Sequence, residues 1–434
     1  MQLTAAFLLV WLAALPPIAS ETRAVAPATL ALATLNARLD KDRGRHDWTA
    51  YLADAKRIAV LVNQSPDALL EVARADTHLG RTNDALALVR VVAAMGQGSA
   101  AVAALPDFRP LRKMPAFAPI AARLVANSRP VSRARVAYVL PDAGLMPEDL
   151  DRDAPRGRYL LTSAAEKKIV ALDAAGRISD FARSPDGWPM LALKVDAVHG
   201  VVWATEAALD GFVFVPKRDW GRTAVLRFDL ASGKLLGRTE GPRPAQFGDA
   251  ALSPRGDLLL GDDNAGGLYL APANGAPLRR LDKGEWVSPQ TPAFIDARRV
   301  LIPDYARGLG RFDMATGLVR WIPMHGIALE GIDGMYLRGH DLFAIENGTA
   351  PERVVVLHLD AAFDRVLSLD TIESGTPSLD PTHGLIRGGA FEYIANAGWA
   401  KLDAHGNLTS GQHFTPARIM RAPLTSFAKD VRPT

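Results

Sequence analysis

The sequence predicts a mainly β protein, a six-bladed β-propeller preceded by an α-helical region. The first observation is a pattern that occurs six times between Glu148 and Asn396. Each copy has a turn rich in Pro, Gly and Asp, two short apolar strands, and a D-x-x-G turn that leads into a third strand. The period of roughly 40–55 residues is typical of propeller blades. The second observation is the helical spacing of apolar residues over residues 27–128.

The repeat also predicts how the propeller is built. Its clearest copy is FGDAALSPRGDLLLGDDNAGGLYLAP, which starts at Phe247. The propeller is expected over residues 134–425, with a tail at 426–434. The predicted innermost strands of the six blades begin near Glu148, Lys194, Gly248, Gln290, Gly331 and Thr376.

Two segments stand outside the regular repeat. The strand ARVAYVLP from Ala134 precedes the first blade, and the last blade lacks a full set of strands. We therefore expect this strand to complete the last sheet, because circular closure removes exposed edges. Blade two carries an aromatic-rich insertion between Ala204 and Gly221. It forms either a wall or lid at the rim or a packed extension of the hairpin.

Residues 27–128 read as helices joined by tight turns. Ser65 and Pro66 begin a helix as cap and first-turn residue, and Gly80 ends it before a second helix. The helix–turn–helix unit, with small Ala73 and Ala85 at the packing positions, resembles one tetratricopeptide unit. One such unit cannot bury its apolar face alone, so we expect the helices to dock on the propeller or on a protein partner.

Composition excludes several classes of function. The chain of 434 residues has 50 Lys and Arg against 47 Asp and Glu, a net charge of +3. No basic run is interleaved with aromatic residues, so nucleic-acid binding is not expected. The absence of cysteine excludes disulfides, thiolate metal sites and a cysteine nucleophile. The sequence also has no G-x-S-x-G nucleophile elbow and no phosphate-binding Gly-rich loop.

The first twenty residues have the pattern of a signal peptide. The apolar run from Ala5 to Ala14 is followed by two prolines and by the small residues Ala19 and Ser20. Such a run is too short to span a bilayer comfortably. We expect residues 1–20 to be removed and the mature protein to be periplasmic or secreted, with no later membrane span. A short membrane anchor or a buried helix is the alternative.

Residues 134–425 resemble the family of senescence marker protein (regucalcin), gluconolactonase and luciferin-regenerating enzyme. The motifs that carry the resemblance are PEDL at Pro147, FGDAALSPRGDLLLGD at Phe247, EGIDGMYLRGHDLFAIENG at Glu330 and YIANAGW at Tyr393. The resemblance implies a divalent cation, Ca²⁺ or Zn²⁺, held in the channel by residues at the starts of innermost strands. Such a cation polarises a lactone carbonyl, which implies metal-dependent hydrolysis of lactones or esters.

The ligand residues of the family are only partly present in this chain. Glu148 stands at the family's first-blade glutamate, and Asp333 stands at its aspartate, a metal ligand and general base. Where the family has Asn-Asp, this chain has Gly248-Asp249, so one ligand is lost unless Asp249 replaces it. Gln290 falls at the other asparagine position and offers a carbonyl oxygen on a longer arm. The predicted metal ligands are therefore Glu148, Asp333, Gln290 and Asp249, and Asp333 is the predicted catalytic residue.

Other polar residues of the repeat have structural explanations. Carboxylates at strand starts often cap turns by accepting backbone N–H bonds, which is the expected role of Asp149, Asp262 and Asp263. Three histidines, His325, His340 and His383, lie near turns of the propeller, and any of them could line the channel or be structural.

The last blade contributes Asn396 and Trp399. They either face the channel mouth, where Trp399 would suit an apolar or sugar-like ligand, or lie buried between blades. Two functions stay open. The first is a metal-dependent lactone or ester hydrolase. The second is a non-catalytic envelope binding or scaffold protein with a degenerate metal site.

Overall fold

The computed structural model describes residues 25–427, and the predicted signal peptide at 1–20 lies outside the described residues. Six α-helices occur in the described part of the chain before the first strand. They are α1 (Pro27–Gly44), α2 (Trp48–Leu61), α3 (Pro66–His78), α4 (Thr82–Ala94), α5 (Ala100–Ala103) and α6 (Phe117–Asn127). Ser65 caps α3 by accepting a hydrogen bond from the Ala68 amide at 3.4 Å.

Twenty-five strands follow within the described residues and form six separate antiparallel sheets. This arrangement confirms the predicted six-bladed propeller. The innermost strand of each sheet is, in blade order, β3 (Pro147–Asp153), β7 (Met190–Asp196), β11 (Asp249–Leu252), β15 (Ala293–Phe294), β19 (Ile332–Arg338) and β23 (Gly384–Arg387). The second strands are β4 (Arg158–Ser163), β8 (Val201–Ala207), β12 (Leu258–Asp262), β16 (Arg299–Asp304), β20 (Asp341–Glu346) and β24 (Ala390–Ile394).

The third strands are mostly buried. They are β5 (Lys168–Leu172), β9 (Thr223–Asp229), β13 (Gly267–Ala271), β17 (Gly308–Asp313), β21 (Arg353–Leu359) and β25 (Arg418–Pro423). The fourth strands are β6 (Ile178–Arg183), β10 (Leu235–Glu240), β14 (Arg279–Arg280), β18 (Leu318–Trp321), β22 (Val366–Ser374) and, in the last blade, β2 (Arg135–Val139). The short strand β1 (Val131–Ser132) adds a fifth strand to blade five.

The ring closes through strand β2, as the position of ARVAYVLP predicts. Strand β2 pairs antiparallel with β25, and Arg135 lies opposite Arg421. The sixth sheet has the order β2-β25-β24-β23, so it combines one strand from before the first blade with three from the end of the chain. The last sheet therefore contains strands from both ends of the propeller region, which holds the ring closed.

Two predicted strand starts were displaced. Strand β7 begins at Met190 rather than Lys194, because its first four residues are all buried and lack the alternation that marks a half-exposed strand. Strand β23 begins at Gly384 rather than near Thr376. The chain first forms a turn at Thr376, in which the Thr376 carbonyl accepts a hydrogen bond from the Leu379 amide at 3.2 Å. The strand begins only after this turn.

The helices dock on the propeller. Leu69 of α3, Val92 of α4 and Met95 pack in one apolar cluster with residues of blades four and five, including Leu329. Polar contacts reinforce the docking, since the Asn63 side chain donates to the Arg307 carbonyl at 2.8 Å. The helical hairpin of α3 and α4 is present, whereas its tetratricopeptide character stays a prediction. None of the helices in residues 25–427 has the length and apolarity needed to cross a membrane.

Candidate functional site

A cavity of about 320 Å³ opens at the axis of the propeller. All six blades contribute to its lining near the starts of their innermost strands. Helix α3 contributes Asp67 to the same lining, so the helical region forms part of the mouth. Seven carboxylate side chains line the cavity, and none of the described lining residues is Lys or Arg. They are Asp67, Glu148, Asp249, Asp263, Asp333, Glu352 and Asp380.

Glu148 and Asp333, the two residues predicted with the strongest motifs, lie together in this cavity. Each offers a carboxylate oxygen, and these oxygens and a ring nitrogen of His383 all lie within 4.8 Å of one another. Glu148 comes from blade one, Asp333 from blade five and His383 from just before β23 of blade six. The juxtaposition follows from circular closure, because blades one and six are neighbours only in the closed ring.

Neighbouring side chains hold both carboxylates in place. The Trp399 indole donates a hydrogen bond to Glu148 Oε2. The Asn347 amide nitrogen donates to Asp333 Oδ2 at 2.6 Å and to the Pro381 carbonyl at 2.9 Å. The Tyr305 hydroxyl donates in turn to Asn347 Oδ1 at 2.9 Å. The orientation of Asp333 therefore depends on a chain of hydrogen bonds from blades four, five and six.

His383 is surrounded by hydrogen-bond acceptors on both sides of its ring. Nδ1 lies 3.1 Å from the backbone oxygen of Glu148, and Nε2 lies 2.9 Å from Asp249 Oδ1 and 3.1 Å from Thr291 Oγ1. Burial lowers the pKa of His383, but the carboxylates of Asp149, Asp333 and Asp249 outweigh it and raise the pKa well above its usual value. Both ring nitrogens therefore act as hydrogen-bond donors. His383 links the starts of neighbouring innermost strands and has no free lone pair to offer a metal ion.

Burial dominates the ionisation of the paired carboxyls. It raises the pKa of Glu148 to about 8, with His383 acting against this and Asp333 adding to it. It raises the pKa of Asp333 to about 7, with His383 and Asn347 favouring the ionised form and Asp249 opposing it. Several carboxyls that face one another in a confined space cannot all ionise without a compensating positive charge. Protonation of the carboxyls, the positive charge of His383 or a bound cation would each supply this compensation.

The other two predicted ligands line the cavity but are engaged elsewhere. Asp249 Oδ1 accepts from the Thr291 hydroxyl and faces His383. The Gln290 amide nitrogen donates to Ser288 Oγ at 2.9 Å and to the Ser288 carbonyl at 3.2 Å. Asp249 does not belong to the group that converges within 4.8 Å, because its side chain turns toward the strand starts of blades four and six.

The donor set fits a hard divalent cation. Glu148 and Asp333 supply carboxylate oxygens, and the His383 nitrogens are already directed at acceptors. Oxygen-only coordination is typical of Ca²⁺, whereas Zn²⁺ sites generally include nitrogen or sulfur ligands. Of the two ions predicted from the sequence, Ca²⁺ is therefore the better match to these residues.

The aspartates expected to cap turns divide into different roles. Asp262 is a turn cap, since its Oδ1 accepts from the amides of Gln246 at 3.0 Å and Ala265 at 2.9 Å. Asp149 instead joins two blades, because its Oδ2 accepts from the Leu193 amide at 2.7 Å and from Lys194 Nζ at 2.5 Å. For Asp263 the expectation of a turn cap was wrong, because its Oδ2 accepts from the Gln246 side chain at 2.9 Å and the residue lines the cavity.

Apolar side chains form part of the cavity lining. Leu209 and Phe212 of the blade-two insertion line the cavity together with Trp399. The insertion packs on the loop of blade six, where the Val213 amide donates to the His405 carbonyl at 2.9 Å. The insertion is thus both a packed element and a wall of the cavity. A ligand that fills it meets both carboxylates and apolar surface.

The remaining sequence-predicted residues lie elsewhere. Asn396 is 7% exposed and bonds the Pro416 carbonyl and the Arg418 amide, so it is structural. His325 and His340 are exposed and do not line the cavity. His383 was one of three equivalent candidates in the sequence, and its place directly before β23 was hidden by the displaced start of blade six.

Comparisons with known proteins find likenesses only in three-dimensional structure. No protein-family model matches the chain, and no curated protein matches it in sequence. The chain is similar to virginiamycin B lyase from Staphylococcus aureus, with 15% identity over 60% of this chain and 80% of that chain and a TM-score of 0.43. It is similar to a putative oxidoreductase (glucose dehydrogenase) from Thermus thermophilus, with 17% identity over 66% and 99% and a TM-score of 0.46.

Luciferin-regenerating enzyme is a third similar structure. It shares 14% identity with this chain over 68% of this chain and 95% of its own length, with a TM-score of 0.45. These values are too low to carry an argument about activity. The assignment of a six-bladed propeller rests on the strand pairing of the chain itself.

Proposed function

We propose that the protein is a divalent-cation-dependent hydrolase of lactones or related esters. The observation that supports this proposal is the convergence of Glu148 and Asp333 within 4.8 Å, at the axis of a cavity without Lys or Arg among its described lining residues. Glu148 and Asp333 would hold the cation, with Gln290 and Asp249 nearby in the lining. A bound Ca²⁺ polarises a carbonyl oxygen and stabilises the negative charge that develops on it.

The residues of the chain supply positioning and proton transfer. Asn347 directs the Asp333 carboxylate, which takes a proton from the attacking water as the carbon–oxygen bond forms. The same proton passes to the alcohol oxygen that leaves when the ester bond breaks, so the products are an alcohol and a carboxylic acid, which then releases its remaining proton to solvent. Leu209, Phe212 and Trp399 offer the apolar surface against which the substrate would lie.

The alternative is a non-catalytic binding protein with a degenerate metal site. The lack of a side chain at Gly248 and the engagement of Asp249 by Thr291 and His383 favour it. The protein partner predicted for the helical region stays a prediction. The face of α3 and α4 that contains Leu69 and Val92 is occupied by the propeller and is not free for such a partner.

Metal-dependent melting tests the proposal. The chelated full-length protein should melt at a higher temperature after Ca²⁺ is added, because a ligand that binds the native state stabilises it by mass action. Asp333→Ala should abolish the rise, whereas Asp40→Asn, on the exposed face of α1, should keep it. Calcium-dependent release of acid from a panel of γ- and δ-lactones should also disappear in Asp333→Ala. A melting temperature that is the same in chelator and in calcium would contradict metal binding. Stabilisation without turnover would favour the binding protein.

A further inference from the structure

Two carboxyls of the axial cavity, those of Glu352 and Asp380, form no ion pair with a Lys or Arg of the described chain. Lys401, whose charge reaches Asp380, donates instead to Thr415 Oγ1 at 2.9 Å. Neither oxygen of Glu352 has a hydrogen-bond partner among the described residues, and its Oε2 is enclosed by protein. A ligand in the cavity would therefore meet Glu352 through Oε1.

The two carboxyls belong to one part of the cavity, beside the turn that carries Trp399. Burial, followed by the charge of Asp380, raises the pKa of Glu352 to about 8, so the two groups lie within range of each other's charge. Asp380 Oδ2 accepts from the amides of Gly398 at 2.6 Å and Ala400 at 3.3 Å, the residues on either side of Trp399. Two like charges so placed disfavour the ionisation of both carboxyls unless a positive charge compensates them.

Several neutral donors of the cavity lining are already engaged. The Trp399 indole donates to the Glu148 carboxylate, and the Thr382 hydroxyl donates to the Glu148 carbonyl at 2.8 Å. Gln290 is 6% exposed, and its amide nitrogen donates to Ser288, whereas its Oε1 has no partner among the described residues. With seven carboxylates and no Lys or Arg in the described lining, the cavity favours a ligand that donates hydrogen bonds and carries positive charge.

We propose that Glu352 and Asp380 bind the protonated amine of the substrate, while the apolar part of the substrate lies on Trp399 and Phe212. The inference rests on the proposed function and names its substrate class, which is lactones or esters that carry an amine. The rings of Trp399 and Phe212 stand edge to face with centroids 6.3 Å apart, and both line the cavity. Aromatic rings attract ammonium groups as well as apolar surface, because the face of the ring carries partial negative charge. Anionic substrates are disfavoured, since they would add a negative charge among carboxylates.

Three small ligands that share one ring and differ in charge test the amine site. Benzylamine, which is protonated at pH 8, benzyl alcohol and benzoate are each titrated into the full-length protein in chelator, and calorimetry measures their dissociation constants. Benzylamine should bind at least about tenfold more tightly than benzyl alcohol, because hydrogen bonds between charged groups are the stronger ones. Benzoate should show no binding. Benzyl alcohol or benzoate that binds as tightly as benzylamine would overturn the proposal.

Glu352→Gln separates the charge of the site from its shape. The variant should bind benzylamine at least about tenfold more weakly and benzyl alcohol with an unchanged dissociation constant, a difference that a folding defect would not produce. Phe212→Leu should weaken the binding of both ligands, whereas Val213→Ala, at the neighbouring position that is 65% exposed, should weaken neither. Equal weakening of benzylamine and benzyl alcohol in Glu352→Gln would show that the carboxyl does not bind the amine.

Calcium-dependent hydrolysis is measured separately, so the two proposals can fail independently. Hydrolysis of neutral lactones by a protein that does not prefer benzylamine would keep the hydrolase and overturn the amine site. Binding of benzylamine by a protein that hydrolyses neither neutral nor amine-bearing lactones and esters would overturn the hydrolase. Glu352 and Asp380 would then be the amine site of a binding protein.

Discussion

Glu352 provides the clearest test of how the acidic cavity affects stability. It lines the cavity, its Oε2 is buried without a hydrogen-bond partner in the described residues, and it lies near Asp380. Burial, followed by the charge of Asp380, raises its pKa from 4.5 to about 8. The native state therefore holds a proton that the unfolded state releases at neutral pH. Replacement by glutamine keeps the shape and removes the need for this proton.

The expected change in the free energy of unfolding of Glu352→Gln depends on pH. Below pH 4.5 the carboxyl is protonated in both states, so ionisation contributes nothing and Glu352→Gln should lower the free energy of unfolding by the cost of its unpaired amide, about 3 kcal/mol. Between pH 4.5 and 8 only the unfolded state loses the proton, so the unmodified protein loses stability as pH rises. One pKa unit corresponds to about 1.4 kcal/mol, which gives an upper limit of about 5 kcal/mol above pH 8. Because the new amide also needs hydrogen-bond partners, we expect a net gain of about 2 kcal/mol at pH 8.

Urea unfolding followed by tryptophan fluorescence measures this difference. Glu352→Gln and the unmodified chain are compared in chelator at pH 4.5, 6, 7 and 8, with Asp40→Asn as a control whose effect should be small at every pH. A gain in unfolding free energy that is equal at pH 4.5 and pH 8 would show that ionisation is not its cause. A loss of stability at pH 8 would show that the ionised Glu352 is stabilised in the native state, and would refute the reasoning.

Two further predictions concern the support of the site and the docking of the helices. Asn347→Ala removes the donor to Asp333 and should weaken calcium binding by about tenfold in titration calorimetry, because a hydrogen bond to a metal ligand fixes the orientation of that ligand; an unchanged dissociation constant would contradict this role. Leu69→Ala opens a cavity between α3 and the propeller and should lower the free energy of unfolding by about 2–5 kcal/mol in a single thermal transition. Separate melting of a helical part, with the propeller unchanged, would contradict tight docking.

The fold could be predicted in large part because its determinants are local. Gly and Asp turns at regular intervals mark blades whatever the neighbouring blades contain, and the unmatched strand before blade one implies closure by β2. Glu148 and Asp333 were identified because each lies in a motif at a strand start. The structure brings them within 4.8 Å, but the sequence alone does not state which blades face each other across the axis.

The rest of the site depends on contacts between distant parts of the chain. His383 gains its role from acceptors on blades one, three and four. Asp263 looks in sequence like its neighbour Asp262, but Asp262 caps a turn whereas Asp263 lines the cavity. Phe212 becomes part of a wall because the insertion packs against the loop of blade six. Such contacts are set by tertiary packing and leave no periodic signal in the sequence.

Closure of the ring by β2 also fixes the order in which the site can form during folding. Arg135 and Arg421 pair across more than half of the chain, so the last sheet forms only after nearly all of it has been synthesised. Contacts of such high sequence separation form slowly and late. Glu148 and His383 belong to the two blades that this closure brings together. Chains that stop before β25 would therefore hold most of the blades without the closed ring that brings Glu148 and His383 together. Only finished molecules would then contain the proposed cation site, so a stabilising effect of calcium would separate them from truncated ones.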